Sequence, residues 1–208
     1  MATEKKSPIA SEREEEVRGL WRWLASRFDA RRLVFVDECG THTSMTRLRS
    51  RAPKGERAYG RVPRNRGKNQ TLIAAITLEG AMDERAAVTI EGATDTLVFE
   101  GYVEHFLSPT LAEGQVVVMD KLSAHRTERV RELIEARGAE LVFLPSYSPE
   151  LNPIEEAFSK IKVILRKVGA RTREALVEAM AEALRVVTPE DAMGWFRHCG
   201  YNVEDQAL

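Results

Sequence analysis

Cysteine is scarce in this chain. Its two copies, Cys39 and Cys199, lie far apart and offer no zinc-type spacing, so neither a disulfide framework nor a cysteine metal centre organises the fold. Long apolar runs are absent: none approaches the eighteen or so residues of a membrane span. The opening Met-Ala-Thr-Glu-Lys-Lys lacks the apolar core of a secretory signal. There is no internal repeat, no low-complexity tract and no long flexible linker. A cytoplasmic protein with free thiols is expected. Net charge is low as well, 31 Lys and Arg against 32 Asp and Glu. What remains is the composition of an ordinary soluble domain, 43% apolar and 30% charged over 208 residues, enough for one sizeable core.

The near-zero net charge hides a local excess. Residues 47–68 hold Arg47, Arg49, Arg51, Lys54, Arg57, Arg61, Arg64, Arg66 and Lys68 against one acid, Glu56. That segment carries +8 and the remainder −9. Such asymmetry points to a polyanionic partner, with a solvated loop as the plain alternative. Pro53, Gly55, Gly60, Pro63 and Gly67 interrupt it, predicting an irregular ribbon with at most one strand near 57–62.

Along the chain, Val17, Leu20, Trp21 and Leu24 predict an amphipathic helix behind a polar tail. Short apolar runs predict buried strands at 33–36, 70–78, 116–119 and 141–144, with a weaker one at 87–90. Helical spacing predicts helices over 94–111 and 128–137, the latter stopped by Gly138. Three more are expected at 153–168, 173–187 and 189–198, with Thr188 as N-cap of the last. The strand, helix and strand of 116–144 make a βαβ unit with parallel strands. One α/β domain follows, strands first and helices last.

The stretch 144–161 is the most informative. Asn152 fits an N-cap, Pro153 the first helical position and Glu155 the N3 position, so the opening turn of that helix is held in a defined place. Asp37 and Asp120 each end an apolar run, and thirty-four residues separate Asp120 from Glu155. In open α/β sheets, sites form at the carboxyl ends of strands. Three carboxylates there suit magnesium or manganese, and two such ions can clamp the attacking and leaving oxygens of a phosphoryl transfer. Each acid also has a plain reading as a turn or capping residue. Glu38 reads as a structural or peripheral acid, and His42 and His125 as solvated or locally bonded. Glu156 is expected on the solvent side, paired with Lys160 four residues on.

The combination is more specific than its parts. Val-Asp-Glu-Cys-Gly at 36–40, Val-Val-Val-Met-Asp-Lys-Leu-Ser-Ala-His at 116–125 and Tyr-Ser-Pro-Glu-Leu-Asn-Pro-Ile-Glu at 147–155 closely resemble bacterial insertion-sequence transposases allied to mariner elements. The resemblance spans about 31–201. It implies a DDE catalytic domain of ribonuclease-H-like fold (α/β, mixed sheet with flanking helices), with Asp37, Asp120 and Glu155 as the metal-binding triad for magnesium or manganese. It also implies cleavage of transposon ends and joining of the 3′-hydroxyl to target DNA, in a bacterial, nucleoid-associated setting.

The organisation expected is an N-terminal tail and helix over 1–30, the catalytic domain over 31–201 and a tail over 202–208. Only thirty-six residues precede Asp37. Family members usually carry helix-turn-helix modules there, so the resemblance implies a catalytic domain supplied with an upstream reading frame by frameshifting. It also implies a homodimer or higher synaptic assembly on DNA. Lys121 stands where the family commonly has Asn, and Cys39 where Thr or Ser is expected. A cation beside Asp120 is expected to lower that acid's pKa or to contact a phosphate. A non-catalytic remnant that regulates transposition, and a structure-specific nuclease of the same fold, remain as alternatives.

Overall fold

The computed structural model describes residues 13–65, 67–79 and 84–203. Five strands, β1 (Leu33–Thr41), β2 (Gln70–Thr77), β3 (Val88–Glu91), β4 (Val116–Met119) and β5 (Glu140–Phe143), make one mixed sheet in the order β3-β2-β1-β4-β5. β1, β2 and β3 pair antiparallel, whereas β1–β4 and β4–β5 pair parallel. Parallel neighbours need a crossover, and α3 (Glu128–Glu135) supplies it between β4 and β5, as expected. Gly138, at φ 71°, turns the chain from that crossover toward β5.

The first strand does not stop at residue 36. β1 runs on through Asp37 to Thr41 because β2 gives it an antiparallel partner at every position from Val34 to Thr41. Its parallel pairing to β4 covers only Leu33 to Phe35. Asp37 therefore sits inside a strand, just beyond the point where its parallel neighbour leaves. Among the described residues between β1 and β2, no strand forms near 57–62, and the ribbon is irregular throughout.

Alternation along β1 assigns its side chains to two cores. Leu33, Phe35 and Cys39 face α4 (Pro153–Val168), α5 (Arg173–Arg185), α6 (Pro189–His198) and α1 (Glu15–Ala25). Val34 and Val36 face α3 and α2 (Thr96–Tyr102). The helix expected over 94–111 changes pitch twice: α2 gives way to a π turn at Val103–Leu107 and a 3-10 turn at Ser108–Thr110. Pro109 cannot donate to the preceding turn, which accounts for the break. Mixed sheet and two helical layers together form the expected ribonuclease-H-like architecture. Among the described residues, no helix is long and apolar enough to cross a membrane.

Helix α1 exists but turns a different face inward. Arg18, Trp21 and Ala25 are buried, whereas Val17 and Leu20 are exposed. The inward pull on Arg18 by groups in the 147–150 turn explains the rotation. α6 opens as expected, with a full capping box between Thr188 and Asp191. α4 starts at Pro153 after Asn152 and ends on Gly169, whose φ of 66° suits a left-handed C-cap.

Phe35 is fully buried, edge-on to Phe196 at 5.2 Å and to Tyr201 at 5.0 Å. It lies two residues before Asp37 on the same face of β1. Phe35→Ala is expected to cost about 3–5 kcal/mol, read as a lower urea midpoint with an unchanged denaturant slope.

Candidate active site

The strand register builds the site. Leu33, Val34 and Phe35 lie beside Val116, Val117 and Val118, so continuing the count brings Asp37 alongside Asp120. Asp37 is on the Phe35 face, toward α4, whose first turn carries Glu155. All three acids line one cavity of about 320 Å³, together with Lys121, Asn152 and the turn 144–149. The next acid, Glu38, points to the opposite face and is not in that lining.

Asp37 accepts hydrogen bonds from the Glu38 N–H at 2.7 Å and from Asn152 Nδ2 at 2.9 Å. Burial, reinforced by the charges of Asp120, Glu155 and Glu38, pushes its carboxyl up to about 7, against the pull of the Glu38 N–H. Asn152 holds the N-cap position as expected but makes no capping bond, because its amide is turned to Asp37. Its Oδ1 is buried without a donor.

Asp120 is treated differently. Burial raises its pKa, but His125 and the Leu122 N–H, at 3.0 Å, outweigh burial and leave it below the usual range. The cation responsible is His125, not Lys121, which lies exposed on the cavity wall. His125 is fully buried, so of its two readings the solvated one fails and the local partner holds, with Asp120 as that partner. Its Nε2 faces Glu38 at 3.1 Å and its ring packs on Phe99. Its Nδ1 stands 2.6 Å from Asp120 Oδ1, poorly angled for a hydrogen bond but close enough for a strong ion pair. Burial alone would lower the imidazole's pKa, yet Asp120 and Glu38 lift it to about 10. A short 3-10 turn, Ser123–Arg126, swings His125 back beneath Asp120. The sequence signals for that pairing are the five-residue spacing of Asp120 and His125 and the place of both in the 116–125 motif.

The donor set fits a hard divalent cation: three carboxylates, with Asp37 held at an elevated pKa that a cation would relieve, and the undonated Asn152 Oδ1 nearby. As the side chains stand, no three His, Cys, Asp or Glu groups among the described residues form a ready ligand cluster. Asp120 is drawn toward His125 and Asp37 toward Asn152.

The basic ribbon is brought elsewhere. Arg47, Arg49, Arg51, Lys54, Arg57, Arg61 and Arg64 are exposed, and none lines the acidic cavity. Lys68 pairs with Glu91 on β3, and Arg66 lies outside the described residues. Arg171 fastens the start of the ribbon through the carbonyls of Thr43 and Met45, at 2.9 and 3.0 Å. Glu156 does not pair with Lys160. It meets His198 at 2.9 Å, while Lys160 takes Asp191 and the Val186 carbonyl, because α6 packs across α4. Cys39 is buried in β1, with its thiol pushed up to about 11 chiefly by burial.

Comparison with known proteins gives the family. Residues 32–177 match the family model described as DDE superfamily endonuclease. A stretch of 85 residues is 29% identical to the transposable element Tcb2 transposase of Caenorhabditis briggsae, covering 39% of this chain and 31% of that protein. The Mos1 transposase paired-end complex with the left transposon end superposes at a TM-score of 0.72 and 15% identity, over 96% of this chain and 64% of that one. The Mos1 transposase catalytic domain with raltegravir and manganese superposes at 0.67 and 13% identity, over 94% and 92%. The chain thus spans about a third of the Tcb2 transposase and under two thirds of the Mos1 chain in the paired-end complex.

The two buried ionisations predict separate pH windows in metal-free protein. Asp37 binds its proton more tightly folded than unfolded. Its stabilising contribution is therefore complete below about pH 4 and is lost as pH rises through about 7. His125, with folded pKa about 10, contributes fully below about 6.5 and loses that contribution toward 10. Asp37→Asn is expected to flatten the melting temperature between pH 4 and 7 and raise it at pH 8. His125→Gln should remove the alkaline slope instead. A pH 4–7 slope surviving in Asp37→Asn would mean that the unrelieved charge lies on another acid.

Proposed function

Because the chain belongs to the DDE superfamily endonucleases, we propose that it is a transposase catalytic domain that cuts transposon ends and joins the freed 3′-hydroxyl to target DNA. The observation that carries this is the shared cavity of Asp37, Asp120 and Glu155. In this reading those three carboxylates hold magnesium or manganese, as two ions. When bound, the metal would supply Lewis-acid stabilisation of the charge that develops in phosphoryl transfer. The chain's own residues do the rest: Asn152 orients Asp37, His125 keeps Asp120 ionised, and Lys121 offers a cation to a phosphate at the cavity wall.

The motifs at 36–40, 116–125 and 147–155 support the bacterial insertion-sequence branch. The Tcb2 and Mos1 likenesses support the wider mariner grouping. A cytoplasmic, nucleoid-associated setting goes with that branch. The catalytic unit is taken as 31–201, preceded by the segment 1–30 and followed by the tail 202–208. Its partners are transposon-end and target DNA, with Arg47–Lys68 following the phosphate backbone. They also include a second copy in a synaptic pair and a helix-turn-helix product of an upstream frame joined by frameshifting.

Glu155→Gln is expected to abolish manganese-dependent strand cleavage while leaving the fold intact, with a melting temperature no lower than wild type because one of the charges opposing Asp37 is removed. The Glu155 side chain is exposed and caps nothing, so the fold does not depend on it. Glu156→Gln gives up only the exposed ion pair with His198, worth about 0–1 kcal/mol, and should cleave normally. The assay is strand transfer on the element's own flanking ends, with and without the upstream frame fused. Normal cleavage by Glu155→Gln would remove it from the triad.

The ribbon makes a separate prediction. Replacing Arg57, Arg61 and Arg64 with Ala should weaken binding to all duplexes alike. Every phosphate left without its cation should flatten the log–log salt slope by about 0.9. An unchanged slope would make the ribbon a solvated loop.

A further inference from the structure

The wall of the acidic cavity is a turn the chain would not hold unaided. Tyr147 sits at φ 54°, the one non-glycine with positive φ among the described residues, and it is 58% exposed beside the cavity. A bulky residue there is strained and persists only where its surroundings over-determine it. Ser148 is buried next to it, and Asn152 and Glu155 follow within eight residues of Tyr147. Any displacement of this turn is therefore transmitted to the partner of Asp37 and to the third acid.

Those over-determining contacts come from α1, outside the residues that match the family model. Arg18, with no exposed surface, donates from Nη1 to Ser148 Oγ at 2.5 Å and to the Tyr147 carbonyl at 3.5 Å. Its Nη2 binds the Glu150 carboxylate, and its Nε reaches back to Glu15 at 3.3 Å. Ser148 Oγ donates its own proton to the Ser146 carbonyl at 3.1 Å, closing the turn. One helical turn later, Trp21 Nε1 donates to Tyr201 at 3.0 Å, whose hydroxyl donates to the Leu151 carbonyl at 2.7 Å. Helix α1 thus grips residues 147–151 at both ends. The planar guanidinium fork matters here, since one side chain must serve a hydroxyl, a carbonyl and a carboxylate at once.

We propose that Arg18 is a positioning residue for the phosphoryl-transfer site: it holds the strained Tyr147–Ser148 turn, and through it Asn152 and Glu155, in the arrangement the reaction uses. The proposal rests on the reading of the cavity as the active site. It extends the catalytic unit back from residue 31 to take in α1.

The test is nicking of a supercoiled plasmid carrying the element's flanking ends, in millimolar manganese, by the full chain. Arg18→Met keeps the length of the buried stem and leaves Glu150 both solvated and paired to Arg13 at 2.8 Å, so no buried charge is orphaned. It should lower the cleavage rate at saturating DNA on the order of 10²-fold, with DNA affinity unchanged. Arg18→Lys, which keeps the charge but not the fork, should fall between Met and wild type, and so should Ser148→Ala. Arg22→Met, on the exposed side of α1, should match wild type. In DNA-free protein, hydrogen exchange at 146–151 should speed up in Arg18→Met and not in Arg22→Met.

Full cleavage by Arg18→Met beside an active wild type would overturn the proposal. A reduced rate with unchanged exchange at 146–151 would overturn it too. If Arg18→Met fails to fold, Arg18→Lys and Ser148→Ala decide by the same two readouts. An inactive wild type would count against the proposed activity, and the exchange comparison would then decide alone whether Arg18 sets the turn.

Discussion

The three residue pairs between β1 and β4 fix everything downstream. Parallel pairing of Leu33 with Val116 sets the count that brings Asp37 level with Asp120, and strand alternation then sends Asp37 and Glu38 to opposite faces. A slip of one residue would exchange those faces, turning Glu38 toward α4 and Asp37 toward the buried imidazole. Burial of Phe35 against Phe196 and Tyr201 makes such a slip expensive, because the same aromatic side chain would have to leave its core. The acidic cavity is thus a consequence of hydrophobic register before it is a feature of electrostatics.

Within that frame the protein handles its clustered acids unequally. Asp120 has a dedicated cation beneath it, and Glu38 completes the pair around the same imidazole. Asp37 has only hydrogen-bond donors, one from backbone and one from Asn152, while burial and three neighbouring acids oppose its ionisation. Donors without charge orient a carboxylate but leave its field uncompensated, which is the condition under which a divalent cation binds with most advantage. The metal-free stability and the metal affinity of such a site trade against each other. Repulsion held in the fold would be released if a cation bound there.

Much of this could be read from the chain. The five strands, the βαβ unit, Thr188 capping α6 and the grouping of Asp37, Asp120 and Glu155 all carry local signals: apolar runs, capping residues, proline positions. The features that escaped depend on partners distant in sequence. The extension of β1 to Thr41 needs β2 beside it. Asn152 has the sequence position of an N-cap and the side-chain role of an Asp37 donor, and only the tertiary fold distinguishes the two. The polar loop of His125 leaves solvation and local bonding equally open, and its burial comes from Phe99, distant in sequence. The pairing expected of Glu156 with Lys160 obeyed helix spacing, but α6 offered each of them a different partner.

The face of α1 is the sharpest case of this division. Periodicity favoured Val17, Leu20, Trp21 and Leu24 as the inward stripe, and a hydrophobic ranking would never choose an arginine over a valine for burial. Arg18 is nevertheless the residue without exposed surface, since four acceptors wait for it and the carboxylate of Glu150 compensates its charge. Two exposed apolar residues are a modest loss against leaving a strained turn unheld. Selection for apolar burial alone would have rotated the helix the other way. The orientation of α1 is therefore set by the polar demands of residues 147–150, and those demands come from the wall of the acidic cavity.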